Sequence, residues 1–227
     1  MRSTVKPRYH HGALEQALVD EALRQIRERG ADQVSLRGVA QAVGVSPSAA
    51  YQHFPDKAAL MVAVCVGEGA ELAAWMRAAV DAVGEEGDAG AVNRFLAVGR
   101  AYVAFARSEP HLFRHMFGPA GGQEGPYDTE HEHDDPDDAY GILLARLAEL
   151  AERGLLRPGV GDDPALDVLA WSLVHGFSSL MVEGHLPVEA GEPVLTLFGR
   201  LVLEDTAFGT FAAALEAQRG GEQLVGR

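Results

Sequence analysis

The sequence holds one cysteine, Cys65, among 227 residues. That excludes an intramolecular disulfide framework and a zinc site built from cysteine alone, and it suits a reducing compartment. Lysine is scarce as well, with only Lys6 and Lys57. The longest nearly apolar stretch, 168–182, is interrupted by Ser172, His175, Ser178 and Ser179, and it falls short of the roughly 20 residues that a membrane span needs. Residues 1–9 carry charge with no apolar segment behind them, so no secretory leader is expected. A Gly-rich phosphate loop, a Gly-x-Ser-x-Gly elbow and a His-Glu-x-x-His pair are all missing, which leaves an enzyme reading without a motif. These absences describe a soluble, cytoplasmic chain with no membrane partner and no cofactor.

What is present is an ordinary globular composition, 47% hydrophobic and 23% charged. The net charge of −14 is unevenly spread. Residues 1–60 hold eight basic groups against six acids, whereas the remainder holds eleven against 27. A mildly basic head on an acidic body points to two jobs, and only the head can approach a phosphate backbone.

The periodicity is helical nearly throughout, with no stretch alternating as a strand and no internal repeat. Leu14, Leu18, Ala22 and Ile26 recur on one face before Gly30. Ser35 is an expected N-cap for a second helix closed by Gly44, and Ser46 caps a third with Pro47 in its first turn. That third helix is expected to run to Phe54, where Pro55 and Asp56 open a long fourth one toward Val83. The glycines and acids of 84–90 read as a connector before a helix marked by Phe95, Val98, Tyr102 and Phe105, and Pro110 opens a short sixth. Residues 118–138 carry eight carboxylates and no Lys or Arg, as a solvated loop does. A helix restarts at Tyr140 and ends near Gly154. Two apolar stripes follow, one from Leu166 to Met181 and a last one through Leu195, Phe198, Leu201, Val202, Phe208 and Phe211. The fold class is all-α.

Residues 35–54 carry the most information. Two short helices meeting at Gly44 form a helix-turn-helix, with Ala50 and Phe54 facing inward. Pro47, Ser48, Ala49, Gln52 and His53 are expected outward, small or hydrogen-bonding side chains that let a helix enter a major groove. There Gln52 pairs with adenine and Ala49 meets a thymine methyl, while Arg37, Tyr51 and Lys57 suit phosphates at the groove's edge. The competing local reading is a plain helical hairpin inside a core, which leaves the basic arm and the outward His53–Lys57 run unexplained.

The run Val45-Ser46-Pro47-Ser48-Ala49-Ala50-Tyr51-Gln52-His53-Phe54, followed by Asp56-Lys57 and Leu60, resembles the DNA-binding signature of TetR-type transcriptional regulators. Tyr9-His10-His11-Gly12 and the later Trp171, His175 and Gly176 resemble the subgroup named for a Trp-His-Gly motif. The resemblance implies a homodimer on a double-stranded operator, with a three-helix head over 9–60 and a helical ligand-binding and dimerisation body over 61–220. It carries DNA contacts to Arg37, Ser46, Ser48, Tyr51, His53 and Lys57, with Gln52 and Ala49 reading bases. Ser35 and Gly44 complete the expected DNA-binding set. One departure is that the subgroup follows His-His-Gly with Asp or Asn, Leu and Arg, whereas this chain has Ala13-Leu14-Glu15. A phosphate contact from that first turn is therefore not carried over.

In the body, the last two striped helices read as a hairpin that pairs with its copy, and Leu173, Phe177, Phe198, Phe208 and Phe211 are the expected interface. Packing of the stripes within one chain is the alternative. Phe95, Tyr102, Phe105, Phe113, Met116 and Phe117 sit on helices that in this architecture surround an effector cavity, an apolar or aromatic site joined by Trp171 and His175. Gly176 is expected to let a neighbouring helix come close. Aromatic stripes and a lone histidine on an apolar face are also ordinary core features, so these positions are open between the two roles. The His131-Glu132-His133-Asp134-Asp135 run has metal-ligand residue types but no second cluster to complete a site, so no metal is expected. Cys65 reads as an inert thiol. The whole describes a repressor released from a palindromic operator by a small effector, with the fourth helix linking body to head. The alternative from another class is a small-molecule-binding or enzymatic helical protein with a degenerate DNA-binding head, recognisable by ligand affinity or turnover without sequence-specific DNA binding.

Overall fold

The computed structural model describes residues 11–118, 136–209 and 212. The protein is all-α: α1 (His11–Arg29), α2 (Leu36–Val43), α3 (Pro47–Tyr51), α4 (Lys57–Asp81), α5 (Gly87–Ser108), α6 (Pro110–Met116), α7 (Ala139–Glu152), α8 (Leu166–Val182) and α9 (Gly191–Val202). Among the described residues there is no strand, only an isolated bridge between Leu156 and Leu203. Most of the expected acidic loop, including His131–Asp135, lies outside the described residues. Its described end delivers Asp138, whose carboxylate accepts the Gly141 N–H at 2.6 Å and starts α7.

The described chain forms two compact units, one of residues 11–69 with 109–118 and one of residues 70–108 with 136–209. The compact division therefore falls beyond the expected boundary at residue 60, and it sets α6 with the N-terminal unit. In that unit α1 packs on α2 and α6 around Leu18, Ala22, Ile26, Val39, Ala40 and Phe54. Arg27 bonds Glu109 at 2.8 Å, tying α1 to the residue before α6. Ser35 and Ser46 cap α2 and α3 as expected, their hydroxyls accepting from Gly38 and Ala49. Gly44 sits between them at φ 83°, ψ 27°, a left-handed position where a side chain is strained.

α4 corrects the sequence reading of apolar runs. It is long and apolar enough to cross a bilayer by length and composition, with a mean hydropathy of 1.5 over its best window. Glu68 and Glu71 hide this in the sequence. Its buried apolar positions serve packing, with Leu60, Met61 and Val64 in the first unit's core and Leu72, Ala73 and Met76 in the second's, while Val62 and Val66 stay exposed. Glu68 is fully buried with its carboxylate 2.8 Å from His115 Nδ1 on α6, the pairing that a buried charge requires.

In the second unit α5 packs on α7 and α8. It begins at Gly87, earlier than the expected connector allowed. Gly90 lies under the Glu85 carbonyl, where a β-carbon would come within 2.0 Å, so its glycine answers a close approach and not a loop. Arg94 pairs with Glu149 across α5 and α7, and this guanidinium, more than any other neighbour, holds the carboxyl below its usual range.

Two glycine substitutions have opposite expected outcomes. Gly44→Ala costs about 1 kcal/mol or more because of its left-handed backbone. Gly69→Ala, inside α4 with open space around the added carbon, stabilises by roughly 0.8–1 kcal/mol. Urea denaturation of the two variants checks both signs.

Candidate nucleic-acid interface and ligand cavity

The first turn of α3 stands out into solvent. Ser35, Arg37, Gly44, Ser46, Pro47, Ser48, Tyr51, Gln52 and Lys57 are all exposed, Ala49 is half-buried, and Ala50 and Phe54 are buried beneath them. Ser46 Oγ lies 3.1 Å from Ser48 Oγ as well as accepting the Ala49 amide, so both hydroxyls are held at the helix start. Lys57 Nζ donates to the Ala31 carbonyl at 2.9 Å, which fixes the beginning of α4; an ammonium has two further donors to offer.

Two expectations at this surface change. α3 ends at Tyr51 instead of Phe54, although the Phe54 amide still bonds the Ala50 carbonyl at 2.9 Å, so the last turn carries on to the residue before Pro55. His53 does not face outward. Its side chain is 9% exposed and its Nδ1 lies 3.6 Å from Glu15 Oε2 on α1. The end of α3 turns this ring back onto α1, which removes it from the groove-facing set.

The second unit contains a small cavity of about 30 Å³, room for about one water. Phe95, Tyr102 and Trp171 line it as the sequence led one to expect, together with Met76, Leu195 and Phe198, which it did not. The other expected residues lie elsewhere. Phe105 is fully buried edge-on to Trp75, ring centres 5.8 Å apart. Phe113 stacks on Phe117 at 5.0 Å, and with Met116 they belong to the first unit. Helical spacing marked all of these as inward without saying which core they enter.

Tyr102 organises the cavity wall. Its ring meets Trp171 edge to face at 5.1 Å, and Trp171 meets Tyr140 in the same manner at 5.5 Å. The Tyr102 hydroxyl lies 2.8 Å from His175 Nδ1, and His175 Nε2 is 3.4 Å from Ser179 Oγ. Burial lowers the His175 pKa and so favours the neutral ring. Tyr140 donates to Asp167 Oδ2 at 2.7 Å, and burial first, then that bond, raises its phenol above the usual range. His175 thus belongs to the cavity through Tyr102 and does not line it. Gly176 has open space where a side chain would begin, so no helix of this unit approaches it. Besides Gly90, a close approach falls at Gly191, facing the Phe177 ring at 3.1 Å, while Gly99 makes ordinary contact with Val174.

The residues expected at a dimer surface fall in different surroundings. Phe177 and Phe198 are buried inside the unit, Phe198 against Phe95. Leu173 is half-buried. Phe208 lies beyond the break of α9 at Leu203, half-buried under the Arg200 guanidinium. Phe211 lies outside the described residues. On the last two helices the apolar side chains left exposed are Val168, Leu169 and Leu180 on α8 and Leu197 and Leu201 on α9. Leu169, Leu173, Gly176 and Leu180 recur at helical spacing, so α8 presents a continuous apolar edge.

Cys65 is half-buried, and burial, with Glu68 adding to it, pushes its thiol up to about 11. It is protonated and unreactive at neutral pH. Among the described residues no cluster of histidine, cysteine and carboxylates is placed to hold a metal.

Two sequence families match the chain. Residues 18–64 match the bacterial regulatory proteins of the tetR family, and residues 95–204 match a tetracyclin repressor-like C-terminal domain. No curated protein matches. Among solved structures, a protein of unknown function from Rhodococcus sp. RHA1 is 25% identical with a TM-score of 0.58, over 93% of this chain and 96% of that one. RolR in complex with resorcinol is 15% identical with a TM-score of 0.56, over 91% and 93%. The SmeT–triclosan complex is 16% identical with a TM-score of 0.53, over 86% and 94%.

His175 gives a pH prediction. The unfolded chain binds a proton near pH 6.5 that the folded ring, lowered by burial, takes up only at lower pH. Stability therefore falls as pH drops below about 6.5. His175→Asn removes this part of the slope, so urea denaturation at pH 7.5 and 5.5 shows a smaller loss in the variant than in the parent.

Proposed function

Because the chain belongs to the tetR family of bacterial regulatory proteins, we propose that it is a dimeric cytoplasmic repressor, released from a palindromic operator by a small apolar or aromatic effector. Regulators of this family bind DNA and are generally non-enzymatic. The observation that carries the proposal is the exposed first turn of α3, capped by Ser46 and built from side chains small enough for close groove entry. In this reading residues 9–60 are the DNA-binding domain and 61–220 the regulatory one, and Trp171, His175 and Gly176 mark the Trp-His-Gly subgroup. Ser46, Ser48, Arg37, Tyr51 and Lys57 hold phosphates, while Ala49 and Gln52 read bases.

A single short helix makes few base contacts, and two copies reading half-sites on adjacent turns are the usual remedy. The exposed Leu169, Leu180, Leu197 and Leu201 support an interface between copies. The open space at Gly176 on the same edge of α8 gives the second copy room to approach.

The effector enters the cavity walled by Phe95, Tyr102, Trp171 and Phe198. The cavity holds about one water as it stands, so binding opens it, and the effector acts by favouring a dimer whose heads no longer fit the operator. It must bind the two states with different affinity, since equal affinity shifts nothing. The aromatic wall supports an aromatic ligand, and the resorcinol and triclosan bound by RolR and SmeT agree with that class.

Selection from a randomised duplex pool tests the function. An inverted repeat is expected, and recovery of nothing above background overturns the reading. With the repeat in hand, Tyr51→Ala with Lys57→Ala weakens binding to every sequence and reduces the salt slope by about 1. Gln52→Ala instead relaxes one base position by about 1–3 kcal/mol of discrimination. A uniform loss in the second variant would make Gln52 a backbone contact. For the dimer, Leu197→Arg with Leu201→Arg gives a monomer in analytical ultracentrifugation and loses operator affinity, whereas Phe208→Ala remains a dimer.

A further inference from the structure

A second cleft lies on another side of α5, within the second unit, and shares Val174 and Leu195 with the wall of the aromatic cavity. It holds about 220 Å³. One wall is α5, where Arg100, Ala104 and Arg107 share a face. The opposite wall is apolar, with Phe177 of α8, then Val188 and Val194 at and before α9. Gly191 brings the start of α9 down onto the Phe177 ring and so closes the floor.

The charge of this cleft runs against its surroundings. Beyond residue 60 the chain has 27 acids and eleven basic residues, yet the described lining contains two guanidiniums and no carboxylate. Arg100 is the deeper of the two, half-buried with its Nε out of reach of solvent, and Arg107 is exposed at the mouth. Arg100 makes other contacts in the fold, but a guanidinium carries five donors on more than one edge. A concave apolar surface with a few polar groups gathered at one side is the usual form of a small-molecule site.

We propose that this cleft binds a small amphipathic monoanion, a carboxylate carrying an apolar tail. The headgroup takes charge-assisted hydrogen bonds from Arg107, a geometry that planar guanidinium and carboxylate share, and the Arg100 guanidinium in the same wall adds positive charge. The tail lies against Phe177, Val188 and Val194. The volume corresponds to about seven groups of water size, which suits a six-carbon acid. The arginine side of the cleft lies outside the aromatic cavity, with which the cleft shares only Val174 and Leu195, so the chain takes a second ligand of different chemistry from the effector.

Titration calorimetry of the full-length protein with hexanoate, hexan-1-ol and inorganic phosphate tests this. Saturable binding of hexanoate is expected, with the alcohol and phosphate each weaker by about tenfold or more. Ala104→Phe fills the cleft and abolishes hexanoate binding. Arg107→Met, at an exposed position that preserves the fold, weakens it by about tenfold. Equal binding of hexan-1-ol means an apolar slot only, and equal binding of phosphate means a bare anion site; either overturns the proposal. So does undiminished hexanoate binding in Arg107→Met. If hexanoate fails to bind and Ala104→Phe instead weakens self-association, the occupant of the cleft is the second copy, through Leu173 and Val194 at its edge, and the proposal falls.

Discussion

The second unit depends on one buried phenol. Tyr102 is 1% exposed, and a hydroxyl taken out of water without a partner costs about 1–3 kcal/mol. His175 meets that demand from α8, four residues beyond Trp171, whose ring packs on the same tyrosine. One hydrogen bond and one ring contact thus set the register of α5 against α8. The register in turn places Gly99 opposite Val174 and leaves the small cavity between the rings. Burial keeps His175 neutral, so the partnership holds without a buried charge.

The N-terminal unit solves a different problem. It has to present the first turn of a five-residue helix to solvent at a fixed angle, and a helix so short has little stability of its own. The angle is held from below by Ala50 and Phe54 in the core. It is held from the sides by two serine caps and by Gly44, whose left-handed backbone turns the chain between α2 and α3. Lys57 and Asp56 then fix the start of α4, the lysine on the Ala31 carbonyl and the aspartate on the Ala59 amide. Side chains such as Gln52 and Arg37 stay exposed, because the scaffold does not need them for its own packing.

Much of this was legible in the chain because it is local. Ser35, Gly44, Ser46 and Pro47 act within one turn of their own positions, and the structure has them where spacing put them. The misreadings share a cause. His53 was assigned by its position on a helix that stops earlier. Phe198 of α9 was assigned to a partner because it shares a stripe with other apolar residues. A stripe gives a face and not a neighbour: Phe198 closes on Phe95 inside the unit, and Leu197, one position along, is what remains exposed. The segment 84–90 was read as a connector from its composition; residues 84–86 are one, whereas 87–90 begin α5 and Gly90 answers a close approach under the Glu85 carbonyl.

The sequence by itself determined the all-helical class, the head with its caps and turn, and the separation of a mildly basic head from an acidic body. Each of these follows from nearest neighbours along the chain or from simple counts. Only the tertiary structure decided which aromatic residues share a cavity, that Phe113 and Phe117 belong with the head's unit, and that two arginines of an acidic body meet in one cleft. Those facts depend on which helix faces which, and that is set by contacts such as Tyr102 with His175, 73 residues apart. Periodicity shows that a side chain turns inward, but the identity of what it meets belongs to packing.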